Sequence, residues 1–163
     1  MIFRRLLAPL ALAVSLAVLC APACKSSAGQ RQTESATPVA APTVEIDTGE
    51  RKVSFRVELA RSEPELEKGL MYRERLAPET GMLFLFPRES VQTFWMKNTL
   101  IPLDMIFISA DHKIAGIVHD AEPQTLTVRS VAEPSQYVLE IGGGLSARLG
   151  LRAGATVTFH GVD

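Results

Sequence analysis

The chain has 163 residues and a formal net charge of −1, from 17 basic and 18 acidic side chains. A balance this even excludes the strongly basic surface that a general nucleic-acid binder needs. Its two cysteines, Cys20 and Cys24, both lie near the N-terminus, so the remainder holds no disulfide, thiolate nucleophile or thiolate metal site.

Arg4 and Arg5 give the chain a positive start. Leu6 to Leu19 is apolar apart from Pro9 and Ser15, and Ala21-Pro22-Ala23 closes the run with small residues. Charge, apolar stretch and small residues in that order mark residues 1–23 as a secretory signal, too short and too abruptly ended for a membrane span. Two outcomes stay open. Cleavage after Ala23 would release a soluble periplasmic protein. Alternatively, Cys24 becomes the lipidated first residue of a membrane-anchored lipoprotein. Ala21 and Pro22 depart from the Leu-Ala-Gly-Cys lipobox, whereas Lys25-Ser26-Ser27 suits a lipoprotein tether. Membrane contact is expected only through a lipid on Cys24. Loss of this segment removes two basic residues and no acidic one, which leaves a charge of −3.

Residues 24–42 are Ser, Thr, Gln, Ala and Pro with scattered charges and no periodicity, a composition that cannot bury a core and reads as a disordered tether. A single domain is expected over residues 43–163. Val44 and Ile46 alternate with acids, and Val53, Phe55, Val57 and Leu59 alternate with polar residues, so the domain opens on two strands. Ser62-Glu63-Pro64-Glu65 is a capping-box helix start, with the helix running to about Leu70 and Leu66 and Leu70 on one face. Strands are then predicted over 81–86, 91–96, 105–108 and 114–118, with Asp111-His112-Lys113 as a hairpin tip. Further strands are predicted over 128–131, 137–141 and 155–159, and a short helix over 146–149. Many short strands and one or two short helices make a mainly β domain with minor α, either a compact sandwich or an irregular barrel.

Three stretches carry a family resemblance: Gly69-Leu70-Met71-Tyr72-Arg73, Gly81-Met82-Leu83-Phe84, and Phe94-Trp95-Met96-Lys97-Asn98-Thr99 running on to Ile101-Pro102-Leu103-Asp104. Val138-Leu139-Glu140, Leu149-Gly150-Leu151 and Gly154 extend it. The chain resembles the DUF192 family of small, often exported prokaryotic proteins. That resemblance implies a compact β-rich fold and no established activity. One departure is visible: many relatives carry Ala-Gly soon after the position of Glu140, where this chain has Gly142-Gly143-Gly144.

The densest polar and aromatic group is Trp95, Lys97, Asn98, Thr99 and Asp104, joined by Arg73 as a partner for Asp104 or Glu140. Its functional reading is a small pocket with an aromatic platform and charged ends, in an accessory module that binds an envelope small molecule. The competing reading is structural or protein-interacting, with Asp104 accepting backbone amides and Asn98 holding a turn. A third reading is a hydrolase of cell-envelope carbohydrate or peptide, in which Asp104 and Glu140 converge as a carboxylate pair. Alternation puts Glu140 on one face with Val138. His112, His119 and His160 lack metal-ligand spacing, and no serine sits in a nucleophile elbow. No metal or cofactor is expected.

Overall fold

The computed structural model describes residues 41–162, so the stretch expected to be a signal, Cys20, Cys24 and nearly all of the expected tether lie outside the described residues. The strands are β1 (Thr43–Asp47), β2 (Lys52–Ala60), β3 (Thr80–Ser90), β4 (Leu103–Ile108), β5 (Ile114–Ala121), β6 (Ser135–Gly142) and β7 (Thr156–His160). Helix α1 (Glu63–Lys68) follows β2, and helix α2 (Leu145–Leu149) precedes β7.

All seven strands form one sheet in the order β5-β4-β6-β3-β2-β1-β7. Of the two architectures expected, the sandwich is excluded, because there is no second sheet among the described residues. The single sheet curls instead. Its curl brings β7 back to the start of β5, where Ile114 N–H donates to Ala155 O (3.0 Å) and Val157 N–H donates to His112 O (2.9 Å).

Only β2 and β3 pair in parallel. A parallel pair of neighbours requires a crossover rather than a hairpin, and α1 supplies it. Ser62 caps that helix as the sequence predicts, and Glu65 Oε2 accepts from Ser62 N–H (2.9 Å) and Arg61 N–H (3.0 Å). The helix stops at Lys68, two residues earlier than Leu66 and Leu70 suggested. Gly69 ends it with φ 45°, and Leu70 is buried beyond the helix end.

Alternation along β3, β4 and β6 divides the core in two. Leu83, Ile106, Ile108, Leu139 and Ile141 point into the curl and meet Val44, Ile46, Phe55 and Val157. Met82, Phe84, Met105, Phe107 and Val138 point outward, where Leu66 and Leu70 and the loop residue Met96 cover them.

The strands predicted over 91–96 and 128–131 shrink to a single pairing of Phe94 with Arg129. The face carrying Phe94 and Met96 is covered while Val91 and Trp95 on the other face are exposed. The pairing still ends at once, because Met96 N–H bonds to Thr125 O rather than continuing the register set by Phe94 and Arg129. β3 in contrast runs past Pro87 to Ser90, with a register irregularity between Leu85 and Ser90 that accommodates the proline.

Candidate functional site

The buried part of the sheet's outward face carries one ionisable side chain among its apolar residues. Glu140 pairs with Met82 on β3 and with Met105 on β4, so its carboxyl rises between two methionines. It shares this face with Val138, as alternation requires. The residue is 4% exposed, and its carboxyl makes no hydrogen bond among the described residues. Burial penalises the charged form and pushes the carboxyl up to about 8. At neutral pH Glu140 is therefore mostly the neutral acid.

Above Glu140 lies a cavity of about 380 Å³, between α1 with its following loop and the 93–99 segment. Leu66, Leu70 and Met71 form one wall. Phe84, Phe86 and Phe94 form another, with Phe94 packed edge-on against both of the others at 5.1 and 6.2 Å between ring centroids. Thr93, Trp95, Thr99 and Val128 add to the lining, with Glu67 and Lys68 at its exposed mouth. Trp95 is 49% exposed, and Lys97 Nζ lies 5.5 Å from its ring centroid.

Gly69 is what lets the loop after α1 come this close to the sheet. A Cβ there would stand 2.9 Å from Phe84 Cζ and 4.0 Å from Glu140 Oε2. Its positive φ adds a second reason for glycine.

Asn98 turns the chain with φ 56°, in the left-handed region that asparagine tolerates best among non-glycine residues. Its carbonyl accepts from Tyr72 N–H at 2.8 Å, and its Nδ2 reaches Met71 Sδ at 3.9 Å. These bonds tie the Trp95–Thr99 segment to the loop that follows α1. Asn98 thus holds the two walls of the cavity together without lining it.

Arg73 pairs with neither Asp104 nor Glu140. Its guanidinium grips Glu58 through two bonds of 2.7 and 2.5 Å on the outer edge of β2. Asp104 faces away from the cavity. It pairs with Ile141, whose side chain belongs to the interior of the curl, so Asp104 and Glu140 project from opposite faces of the sheet. The carboxylate pair that a hydrolase would use is not formed.

Asp104 is instead a tie point for three segments. Oδ1 accepts from Asp120 N–H (2.7 Å) and Gly144 N–H (2.8 Å), and Oδ2 from Ser146 N–H (2.7 Å) and Ser146 Oγ–H (2.6 Å). Burial alone would raise its pKa, but these four donors outweigh it and hold the carboxyl below its ordinary range. Because Ser146 spends its proton on Asp104, the 2.8 Å contact with His119 Nδ1 requires the imidazole to donate.

Gly143 has no room for a side chain, since a Cβ would lie 2.5 Å from Asp120 Oδ1 and 2.9 Å from Pro102 Cβ. Gly142 has nothing within 4 Å, so the departure from the Ala-Gly pattern leaves this turn intact.

Sequence reading missed Leu66, Phe86, Phe94 and Val128 as cavity residues, because three of the four come from segments whose apolar residues were assigned to ordinary strands. The one local signal was Glu140 itself, an acid inside the apolar run Tyr137 to Ile141.

The family model of DUF192, an "Uncharacterized ACR" family, matches residues 44–159. The chain belongs to the DUF192 family. That match spans every strand from β1 to β7 and the whole cavity. Two solved structures resemble this DUF192 domain. A protein of unknown function from Novosphingobium aromaticivorans is 44% identical, with a TM-score of 0.69 over 71% of this chain and 83% of that one. A protein of Sinorhizobium meliloti, provisionally named a transcription regulator, is 39% identical, with a TM-score of 0.70 over 72% of this chain and 92% of that one. Among curated proteins, none matches the chain.

Proposed function

We propose that this DUF192 domain is an accessory binding module that takes a small, largely apolar molecule in the cavity above Glu140. The observation that carries this reading is the unpartnered buried acid at the floor of that cavity. Buried polar groups without a partner cost folding free energy, so a native structure that keeps one has another use for it. The volume falls in the range of small-molecule sites, which are mostly apolar with a few convergent polar groups. The N-terminal pattern supports an envelope location, with the domain either released after Ala23 or anchored through a lipid on Cys24.

Trp95 is the only tryptophan in the chain and stands on the cavity lining, so its emission reports occupancy. Titration with a panel of small apolar compounds should give a saturable change in Trp95 fluorescence. Leu66→Phe, which narrows the cavity from α1, should weaken it at least tenfold. A panel that leaves the emission flat in the wild type, at concentrations where the compounds dissolve as monomers, would overturn the proposal.

A second reading has one observation in its favour. Trp95, Leu100, Leu126 and Val128 are all 41% or more exposed on segments joined by the Phe94–Arg129 pairing. An apolar patch of this kind suits a protein partner in the envelope. Loss of a specific cross-linked partner in Leu126→Ser, which lies outside the cavity lining, with ligand response retained, would support that reading over the first.

A further inference from the structure

The chemistry of the cavity lining narrows the ligand class. Three ionisable side chains contribute: Glu67 and Lys68, both exposed on α1, and the buried Glu140. Lys68 is the one basic group of the lining, and it stands at the exposed mouth. Arg129, opposite Phe94, keeps its Nε buried without a partner but lies outside the lining. The residues that pair across the sheet with Glu140 are methionines, and the polar groups that the 93–99 segment adds to the lining are the hydroxyls of Thr93 and Thr99 and the Trp95 indole. An anionic ligand would meet a carboxyl at the floor with no cation of the lining beside it. A ligand that brings its own N–H donors and positive charge would supply what the fold withholds.

The aromatic lining points the same way. Phe84, Phe86, Phe94 and Trp95 surround the space above the acid, and aromatic rings attract cations through their quadrupole. Trp95 already holds one cation of the chain itself, Lys97 Nζ at 5.5 Å.

We propose, on the binding reading given above, that the cavity takes an organic ammonium: an aliphatic or aromatic body against the phenylalanines, with its amine on the Glu140 carboxyl. The bond formed is a charge-assisted hydrogen bond from the ligand N–H to a carboxylate oxygen. Below about pH 8 Glu140 starts as the neutral acid, so ion-pair formation sends its proton to solvent. Glu67 and Lys68 stay at the exposed mouth and take no part in that exchange.

The experiment is calorimetric titration of the full chain with phenethylamine and hexylamine, each against its neutral alcohol, 2-phenylethanol and hexanol. The amines should bind at least about tenfold tighter than the alcohols at pH 8. Their Kd should fall about tenfold per pH unit between pH 6 and 7.5, with one proton released per ligand, and level off above about pH 8. Glu140→Gln should bring amine and alcohol affinities together and abolish the pH slope. Equal binding of amine and alcohol in the wild type, or a flat pH profile, would overturn the ammonium and leave the apolar binding site standing. Failure of amines and alcohols alike would overturn both. The wild-type slope and proton count decide the matter even if the Glu140 variant folds poorly.

Discussion

Tyr72 and Asn98 both adopt positive φ, and the Tyr72 N–H donates to the Asn98 carbonyl at 2.8 Å. Each belongs to a different one of the motifs shared with the family, one after α1 and one before Pro102. The bond fixes the distance between the two walls of the cavity. Asn98→Ala should cost about 1–2 kcal/mol, because alanine bears the left-handed backbone poorly. Asn98→Gly should stay within about 0.5 kcal/mol of the wild type, since glycine needs no such compensation. Urea denaturation compares the three. A glycine variant as damaged as the alanine one would shift the role from the backbone to the Nδ2 contact with Met71.

Asp104 governs stability rather than ligand binding. Asp104→Ala leaves three backbone amides, of which only that of Ser146 is fully buried, and a buried hydroxyl without their acceptor, and should cost about 3–5 kcal/mol. Ser146→Ala removes only the hydroxyl bond and should cost about 1.5–3 kcal/mol. The folded carboxyl titrates below its ordinary value of 3.8, so its contribution is present above that pH and is lost as pH falls through the folded value. Acid unfolding followed by circular dichroism should show the wild type more stable than Asp104→Asn above pH 3.8, with the two converging as pH falls through the folded value.

Glu140 has the opposite sign. Its folded pKa of about 8 stands above the ordinary 4.5, so its contribution is full below pH 4.5 and is lost as pH rises towards 8. Glu140→Gln should therefore match the wild type near pH 4.5 and exceed it at pH 8, by on the order of 3 kcal/mol. Thermal unfolding across that range reads the divergence directly. Parallel curves would mean that the carboxyl already has a compensating partner in solution.

Two glycines make a contrasting pair. Gly69→Ala meets Phe84 and a backbone conformation alien to L-residues, and should cost about 2–3 kcal/mol. Gly142→Ala meets open space and should be neutral or stabilising by about 0.5 kcal/mol. Chemical denaturation of both variants tests whether the close approach of the α1 loop depends on the missing Cβ.

The strands were legible wherever one face is buried. β2 alternates because Phe55 and Val57 enter the core while Ser54, Arg56 and Glu58 meet solvent, and that contrast is written in the residues themselves. The 91–96 segment alternates in the same way, with Phe94 and Met96 covered and Val91 and Trp95 exposed, yet it pairs only through Phe94 and Arg129, and no local feature reveals that its partner strand is missing. Among polar residues, the role of Asn98 as a turn was readable from its type. The partners of Asp104 were not, since its four donors lie 16 to 42 positions away. Glu140 stood out by its surroundings, while the cavity above it depends on α1 packing across β3, a relationship that only the crossover creates.

β1 lies between β2 and β7, with Thr43 opposite His160 and Asp47 opposite Thr156. The first strand to be synthesised therefore waits for the last. Until β7 is in place, Val44 and Ile46 have no neighbour on that side, and the curl cannot bring Ile114 against Ala155. Pairings this distant in sequence form slowly, so closing the curl is the late step of folding.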